Sequence, residues 1–374
     1  MTAYRDFINE NEQELYDLLH ELCKIPAPSN YEDERAKFCK NWLEACGAKG
    51  VYIDSAKNTV FPYKCEGSSR ITVIVAHTDT VFPDTEPMPY REEDGKIYCP
   101  GVGDDTASLS VMLMTAKYCV ENDVKADGGI LFVANACEEG LGNLKGTRQI
   151  FADYEGRVEK FVSLDSNISA MCDVCVGSHR YELTVKTEGG HSFQNFGNNS
   201  AIHKISEIIT KIYEIEVPKK EGTRTTYNVG IISGGTSVNT IAENASMLCE
   251  YRSNDVDCLA EMEKKFASIF ASVENEKVSV SVNLVGNRPC ACGLDPEKQE
   301  ALAVFLSDIV ESVSGQAPKR CSGSTDCNIP MSIGIPAVCI GVYTGGGTHT
   351  RGEWVEKASL IPGLEIAIKL VSVL

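Results

Sequence analysis

The chain has 374 residues, of which 43% are hydrophobic and 24% charged, ordinary values for a globular protein long enough for two domains. Its formal net charge of -18 excludes nucleic acid and anionic membrane surfaces as partners, because their phosphates would be repelled. No apolar run approaches the roughly 20 residues that a membrane-spanning helix needs.

The first residues give an expectation about the compartment. Met1 to Asp6 contain no basic region followed by an apolar segment, so we predict no signal peptide and a cytoplasmic protein. In that compartment the 16 cysteines should be mostly free thiols. Cys172 and Cys175 have C-x-x-C spacing, but no second pair accompanies them. We interpret the pair as structural, with a zinc or redox role as the alternative.

In the first half of the chain, helical and strand patterns alternate. The predicted elements are, in chain order, helices at 11–23 and 32–46, a strand at 71–76, a helix at 106–120, and strands at 130–136 and 161–164. The strands are short, β-branched and apolar, which is typical of strands buried on both faces. The alternation indicates an α/β layer structure with a mainly parallel sheet and flanking helices.

Around residue 177 the pattern changes, because residues 181–186 alternate with period two, as in a half-exposed antiparallel strand. The elements predicted after it are a helix at about 200–215, strands at about 226–232 and 245–252, a helix at about 256–273 and a strand at about 277–285. The α/β pattern resumes from about 294. We therefore predict one domain from residues 1–176 and 291–374, and an inserted α+β domain, 177–290, with an open antiparallel sheet.

Histidines and acids are concentrated directly after the predicted parallel strands. In chain order they are His77, Asp79, Glu138, Glu139, Asp165 and, in a glycine-rich loop after a strand at 337–341, His349. The carboxyl ends of parallel strands border the ligand crevice of an open sheet, so we expect these side chains to converge. Asp104 and Asp105 add two acids on a glycine loop, where the main chain can approach a metal closely.

Imidazole and carboxylate groups are the ligands of zinc, cobalt and manganese sites, so the cluster predicts a site for divalent metal ions. Its members have plainer interpretations when taken singly. Glu138 and Glu139 would be solvated acids at a helix N-terminus, and His349 an ordinary loop histidine. The chain has only six histidines, and two of them fall where the topology places a site, which favours the metal site.

The order of these motifs resembles that of the dizinc exopeptidases and deacylases, which include peptidase T, aminoacylase, acetylornithine deacetylase and succinyl-diaminopimelate desuccinylase. The shared order is H-x-D, D-D on a glycine loop, E-E, D and a distant H. The segments 189–192 and 234–239 are similar to parts of that family's dimerisation domain. The resemblance covers essentially the whole chain. It implies two Zn2+ ions per chain, with Co2+ or Mn2+ as alternatives, and a homodimer formed through the inserted domain.

The resemblance also implies a role for each site residue. The implied ligands are His77 and Asp165 for one metal, Glu139 and His349 for the other, and Asp104 as the bridge between them. Asp79 would accept the ring N–H of His77 and so fix its tautomer. Glu138 would be the general base that takes a proton from a water activated by the two zinc ions and later passes it to the leaving amine.

Three residues of the inserted segment are implicated in the same way. His191 would stabilise the tetrahedral oxyanion, from its own or the partner subunit. Asn239 and Arg252 would bind the substrate main chain or its carboxylate, which suits a bidentate arginine. Without the resemblance, His191 and Arg252 would be interpreted as a strand-end histidine and a surface arginine. The resemblance further implies a cis peptide bond between Asp104 and Asp105.

Two features bear on the subgroup. Many family members follow the bridging acid with one residue and then Lys-Gly, whereas here Thr106 and Ala107 follow Asp105, so no well-defined subgroup is indicated. Asp165 is an aspartate, which in the family accompanies aminopeptidases and dipeptidases, whereas glutamate accompanies deacylases and carboxypeptidases. We expect an aminopeptidase that hydrolyses short peptides such as tripeptides and dipeptides. The alternatives are an N-acyl-amino-acid deacylase and a non-catalytic metal-binding scaffold.

Overall fold

The computed structural model of the chain describes residues 3–373. Within this range the helices are α1 (Ala3–Cys23), α2 (Asp33–Ala45), α3 (Ser108–Glu121), α4 (Lys145–Asp153), α5 (Ala201–Tyr213), α6 (Val256–Ala271), α7 (Pro296–Ser314), α8 (Asn328–Ser332) and α9 (Leu360–Ser372). The strands are β1 (Tyr52–Ile53), β2 (Thr59–Tyr63), β3 (Ile71–His77), β4 (Arg91–Glu93), β5 (Lys96–Tyr98), β6 (Ile130–Asn135), β7 (Val158–Leu164), β8 (Ala170–Cys175), β9 (Gly177–Thr187), β10 (Gly190–His191), β11 (Thr225–Gly234), β12 (Thr240–Ile241), β13 (Asn244–Ser253), β14 (Val278–Arg288), β15 (Lys319–Gly323), β16 (Ala337–Ile340), β17 (Gly345–Gly346) and β18 (Trp354–Glu356).

The chain divides into two compact units. Within the described range, the first consists of residues 3–175 with 292–373, and the second of Val176–Ala291. The second unit is therefore an insertion into the sequence of the first. Its role in dimerisation stays a prediction.

The first unit is built on an eight-stranded sheet with the order β1-β2-β6-β3-β7-β16-β8-β15. Its central strands β6, β3, β7 and β16 run parallel to one another. Every residue of β3 and β6 is buried, as expected for strands covered on both faces. Among the helices of this unit, α3 packs against both α1 and α9. The α/β class with a mainly parallel sheet, predicted from the alternating pattern, is confirmed.

The parallel arrangement places three strand ends side by side. β3 ends at His77, which is paired with Asn135 at the end of β6. On its other side β3 pairs with β7, which ends at Leu164. The segments that follow these strands therefore start from neighbouring positions at one edge of the sheet.

A small antiparallel sheet with the order β17-β18-β5-β4 completes this unit. It joins Trp354–Glu356 to Lys96–Tyr98, two segments that are far apart in the sequence. The sequence did not predict this sheet, because strands of two or three residues are too short to show a periodic pattern. Its position matters because the chain continues from β5 towards Asp104, while His349 lies between β17 and β18.

The second unit has an antiparallel sheet with the order β11-β13-β9-β14. Helices α5 and α6 contact this sheet, and alternate residues of β13 are buried beneath them. Ile205 and Phe266, on these helices, pack with Leu183 of β9 in the unit's core. The α+β character and the antiparallel sheet of the insert are confirmed. Ile231 and Leu284, on the outer strands β11 and β14, are exposed.

All 16 cysteines lie within the described range and are free thiols. Cys172 and Cys175 belong to strand β8 and are buried. Between residues 3 and 373, every helix is too short or too polar to cross a membrane. The cytoplasmic location stays a prediction.

Candidate metal centre

His77, the last residue of β3, is 1% exposed. Its Nδ1 lies 2.9 Å from the main-chain oxygen of Asp79, which therefore accepts the ring N–H. Nε2 is left with its lone pair and lies 2.8 Å from Oδ1 of Asp104 and 4.0 Å from Oδ1 of Asp165. The predicted acceptor, the Asp79 carboxylate, is farther from Nδ1, at 3.5 Å. The main-chain oxygen of Asp79 is thus better placed to fix this tautomer.

The Asp79 carboxylate instead holds the loop that follows β6. It accepts the main-chain N–H groups of Glu138 and Glu139, each at 3.0 Å, and the hydroxyl of Ser29 at 2.6 Å. Burial opposes the ionisation of Asp79, but its contact with His77 and the Ser29 hydrogen bond keep its pKa below the usual range. A buried carboxylate bound in this way fixes the position of both glutamates.

Asp104 lies between the two histidines, in the turn Val102–Ala107. Its Oδ1 lies 2.8 Å from Nε2 of His77, and its Oδ2 lies 3.0 Å from Nε2 of His349. His349 Nε2 is also 3.0 Å from Oε1 of Glu139. The His349 side chain is 54% exposed, so the centre is open to solvent on this side.

The five predicted ligands are thus brought to one place. Among the described residues, two groups of three have ligand atoms within 4.8 Å of one another, His77 with Asp104 and Glu139, and His77 with Asp105 and Asp165. Asp105 is not among the predicted ligands, and its Oδ2 accepts the main-chain N–H of His77 at 2.9 Å. The peptide bond between Asp104 and Asp105 is cis, as the resemblance implies.

The donor set fits divalent cations. With Nδ1 donating to Asp79, the lone pair on His77 Nε2 points at carboxylate oxygens, an arrangement that is favourable only with a cation or a proton between them. Burial lowers the pKa of His77, but its contacts with Asp104 and Asp79 outweigh burial and raise this pKa well above the usual range. Contacts with Asp104 and Glu139 raise the pKa of His349 to about 10. Burial and the neighbouring Asp104 raise the pKa of Asp165 well above its usual range, a strain that a bound cation relieves.

Glu138 lies in the same loop as Glu139 and is 5% exposed. The residue before it, Cys137, has φ of 61° and turns the chain sharply after β6. This turn is held by Glu32, whose Oε1 accepts the main-chain N–H of Cys137 at 3.2 Å. The main chain is therefore held before Glu138 by Glu32 at Cys137, and at Glu138 and Glu139 by Asp79.

The residues predicted from the insert all lie in the second unit. His191 in β10 is paired with Thr240 in β12, and the main-chain oxygen of Asn239 accepts the N–H of Ser192 at 3.0 Å. His191 and Asn239 are therefore neighbours, with the His191 side chain exposed. The roles of these residues stay predictions.

Arg252, in β13, is already engaged by a carboxylate. Its Nε donates to Oε1 of Glu250 at 2.7 Å, and its Nη2 donates to Oε2 at 3.0 Å. No pattern in the sequence predicts this bidentate pair. A substrate carboxylate bound by Arg252 has to share the guanidinium with Glu250.

Besides Glu32, two further buried charged residues of the first unit were not predicted from the sequence. Arg35, 2% exposed, donates from Nη1 to the main-chain oxygen of Thr78 at 2.8 Å and from Nη2 to that of Ile25 at 2.8 Å. Arg35 therefore fixes the main chain at Thr78, between His77 and Asp79, through a buried hydrogen bond. Glu353, 1% exposed, accepts main-chain N–H groups of the turn that carries Asp104. No motif marks either residue, and the only signal was that Glu353 follows His349 by four positions.

Comparison with known proteins agrees with these features. Residues 73–372 match the family described as Peptidase family M20/M25/M40. Succinyl-diaminopimelate desuccinylase of Corynebacterium glutamicum is 25% identical to this chain over 347 residues, which cover 90% of each protein. A tripeptidase structure from Staphylococcus aureus has a TM-score of 0.77 with 22% identity, covering 97% of this chain and 99% of that one. Aminopeptidase PepT from Bacillus cereus has a TM-score of 0.73 with 20% identity, covering 97% and 98%.

The two structural matches establish the likeness of the folds. The family match begins within β3 and ends within α9, so it spans the candidate centre and the whole second unit. It confirms the resemblance drawn from the order of the motifs. The chain belongs to peptidase family M20/M25/M40 and is a metal-dependent hydrolase of that family.

Proposed function

We propose that the protein is a metal-dependent aminopeptidase that releases N-terminal residues from short peptides. The observation that carries hydrolysis is the convergence of two imidazole rings and several carboxylates from the ends of β3, β6 and β7, the turn Val102–Ala107 and the loop between β17 and β18. The choice of an aminopeptidase rests on Asp165, because the resemblance associates an aspartate at this position with aminopeptidases and dipeptidases.

The proposed ligands follow from the contacts around Asp104. His77 and Asp165 lie on the side of Asp104 Oδ1, and His349 and Glu139 on the side of Oδ2, so we assign one ion to each side with Asp104 shared. When bound, two divalent cations, Zn2+ with Co2+ or Mn2+ as alternatives, supply Lewis acidity to the attacking water and the scissile carbonyl.

Glu138 is the proposed general base. Its main chain is held next to the ligand Glu139 through the Asp79 carboxylate, and its side chain is buried. A carboxylate in that position takes a proton from the attacking water and delivers it to the leaving amine, while Glu139 keeps its place as a ligand. One loop thus supplies both a ligand and the proton carrier.

Three residues of the second unit have proposed roles in binding the substrate. We propose that His191 stabilises the oxyanion, and that Asn239 and Arg252 hold the far end of the peptide, in a homodimer formed through this unit. The pairing of β10 with β12, which makes His191 and Asn239 neighbours, supports a shared role. An arginine that binds a carboxylate in two places is suited to the C-terminus of a short peptide.

A pocket in the first unit is suited to an apolar side chain of the substrate. It has a volume of about 510 Å3 and is bordered by the proposed ligand Glu139. Tyr31, Val81, Phe82 and Leu141 line it, and all but Phe82 are exposed apolar side chains. Exposed apolar groups next to a catalytic centre are typical of a substrate site. We propose that an apolar N-terminal side chain binds here.

A deacylase that acts on N-acyl amino acids is the second candidate. It is favoured by sequence similarity, because the matched relatives include a desuccinylase and an acetylornithine deacetylase of Myxococcus xanthus, 23% identical over 345 residues. Both candidates use the same ligands and the same base. They differ in whether the substrate needs a free α-amine.

The distinguishing experiment compares a leucine-containing tripeptide with its N-acetylated form, using the metal-loaded protein. We expect the free tripeptide to be hydrolysed with a kcat/KM at least about 100-fold higher, a difference of about 2.7 kcal/mol in transition-state binding. A tripeptide with an N-terminal aspartate serves as the control for the apolar pocket and should be cleaved more slowly. Preference for the acetylated peptide, or for succinylated amino acids, would exclude the aminopeptidase and favour the deacylase.

Metal removal tests the hydrolase itself. Dialysis against a chelator should lower turnover by more than about 100-fold, because Lewis acidity contributes several kcal/mol to such reactions. Zn2+, Co2+ or Mn2+ should restore it, with metal content followed by elemental analysis. The circular dichroism spectrum before and after dialysis controls for unfolding. Undiminished turnover by protein shown to contain no metal would rule out the proposed chemistry.

A further inference from the structure

One buried glutamate outside the proposed ligand set accepts several main-chain hydrogen bonds from the turn that carries Asp104. Oε1 of Glu353 accepts the N–H groups of Gly103 at 2.9 Å and Asp104 at 2.8 Å. Its Oε2 accepts the N–H of Gly101 at 2.8 Å. Three donors of one short turn therefore end on a single carboxylate that is 1% exposed.

The turn is shaped closely around this carboxylate. A Cβ atom on Gly103 would lie 3.0 Å from Oε1 of Glu353 and 3.1 Å from the hydroxyl oxygen of Tyr343, tighter than ordinary contacts. Gly101 has φ of 77°, a conformation that side chains other than glycine rarely adopt. The two glycines thus allow the main chain to approach Glu353 closely enough for all three hydrogen bonds.

Glu353 also links the two chain segments that bring Asp104 and His349 together. It follows His349 by four residues and directly precedes β18, which pairs with β5. Its main-chain oxygen accepts the N–H of Cys99 at 3.2 Å. The loop of one proposed ligand is therefore tied to the loop of another by the short sheet, by this hydrogen bond and by the buried carboxylate.

We propose that Glu353 is a positioning residue of the metal centre, which orients Asp104 so that one of its oxygens faces His77 and the other faces His349. The inference rests on the ligand set proposed above. A shared ligand must present its two oxygens in different directions at once, and a rotation of its main chain moves both. By binding the N–H of Asp104 and of the two nearby glycines, Glu353 prevents that rotation.

The chemistry of the three hydrogen bonds predicts a graded series of variants. Glutamine keeps one oxygen for Gly103 and Asp104 but turns an amide N–H2 towards the N–H of Gly101, so one hydrogen bond is lost. Alanine removes all three acceptors and leaves buried donors without a partner. We therefore expect Glu353→Gln to be milder than Glu353→Ala in every measurement that depends on Asp104.

The test uses Co2+ as the probe, with affinity and stoichiometry measured by competition with a chromophoric chelator and the site followed by its visible absorption spectrum. We expect the Glu353→Ala protein to bind its weaker Co2+ ion roughly 10- to 100-fold less tightly, with an altered spectrum. Glu353→Gln should lose less than about 10-fold. In both variants kcat should fall more than KM changes.

Asp255→Ala is the matched control. Asp255 lies in the second unit and accepts the main-chain N–H of Cys258 at 2.9 Å at the start of α6. It should lower the melting temperature without changing Co2+ affinity or the spectrum. Wild-type affinity and spectrum in folded Glu353→Ala protein would overturn the positioning role, and so would an unchanged Glu353→Gln protein if the alanine variant does not fold. Failure of the wild-type protein to bind two Co2+ ions would instead overturn the proposed ligand set.

Discussion

The Glu138→Ala variant is expected to retain its metal ions and to lose turnover by roughly 100- to 10,000-fold, which is the usual contribution of a general acid–base group. The reason is that Glu138 is not among the proposed ligands, while the main chain around it is held by Asp79 and Glu32. Those contacts involve backbone N–H groups and remain when the side chain is shortened. Glu139 and His349 should therefore keep their places.

Two measurements check this prediction: kcat on a cleaved peptide, and the metal content of the purified protein. Glu155→Ala, which changes an exposed glutamate of the same unit, is the matched control and should behave like the wild type. Full activity of Glu138→Ala would refute the general-base role. Loss of metal together with activity would show that Glu138 acts as a ligand instead.

The Asp104→Asn variant should have the second large effect, a fall in kcat/KM of at least about 1,000-fold together with loss of bound metal. Asparagine matches aspartate in size, so the main-chain N–H can still bind Glu353. The amide, however, replaces one of the two carboxylate oxygens by an N–H2 group, which cannot bind a cation. One of the two proposed ions loses its shared ligand, and the centre loses a negative charge.

Elemental analysis and steady-state kinetics together decide this case. Asp94→Asn, in the exposed turn between β4 and β5, carries the same chemical change away from the centre and should leave both quantities unaltered. Two tightly bound metal ions in the Asp104→Asn protein would show that Asp104 is not shared between them.

Much of the fold follows from local patterns in the sequence. β3 and β6 are continuous apolar runs, and residues 181–186 of β9 alternate with period two, so each strand was predicted within a few residues of its observed bounds. β8 was missed, because Asp173 interrupts its apolar pattern. In the folded chain Asp173 pairs with Arg320 of the neighbouring strand β15, a contact between residues that lie far apart in the sequence.

Of the residues at the candidate site, those marked by local patterns were likewise predicted, and those that act through distant contacts were missed. His77, Glu139 and Asp165 were found because each directly follows a predicted parallel strand, where topology alone places ligands. Glu353 and Arg35 were not found, because their importance lies in hydrogen bonds to main-chain groups of distant segments. Such hydrogen bonds depend on which main-chain segments the fold brings close together, and neither periodicity nor residue type predicts them.

The surroundings of Arg35 indicate that few other side chains can replace it. Its guanidinium donates from Nη1 to the main-chain oxygen of Thr78 and from Nη2 to those of Leu22 and Ile25, with no carboxylate among these acceptors. A lysine would preserve the charge but offers a single nitrogen, which cannot reach oxygens spread around a planar fork. The identity of residue 35 is therefore set by the arrangement of carbonyl groups around it. A substitution that keeps only the charge would not preserve the hydrogen bonds that join α2 to the end of α1 and to the loop after β3.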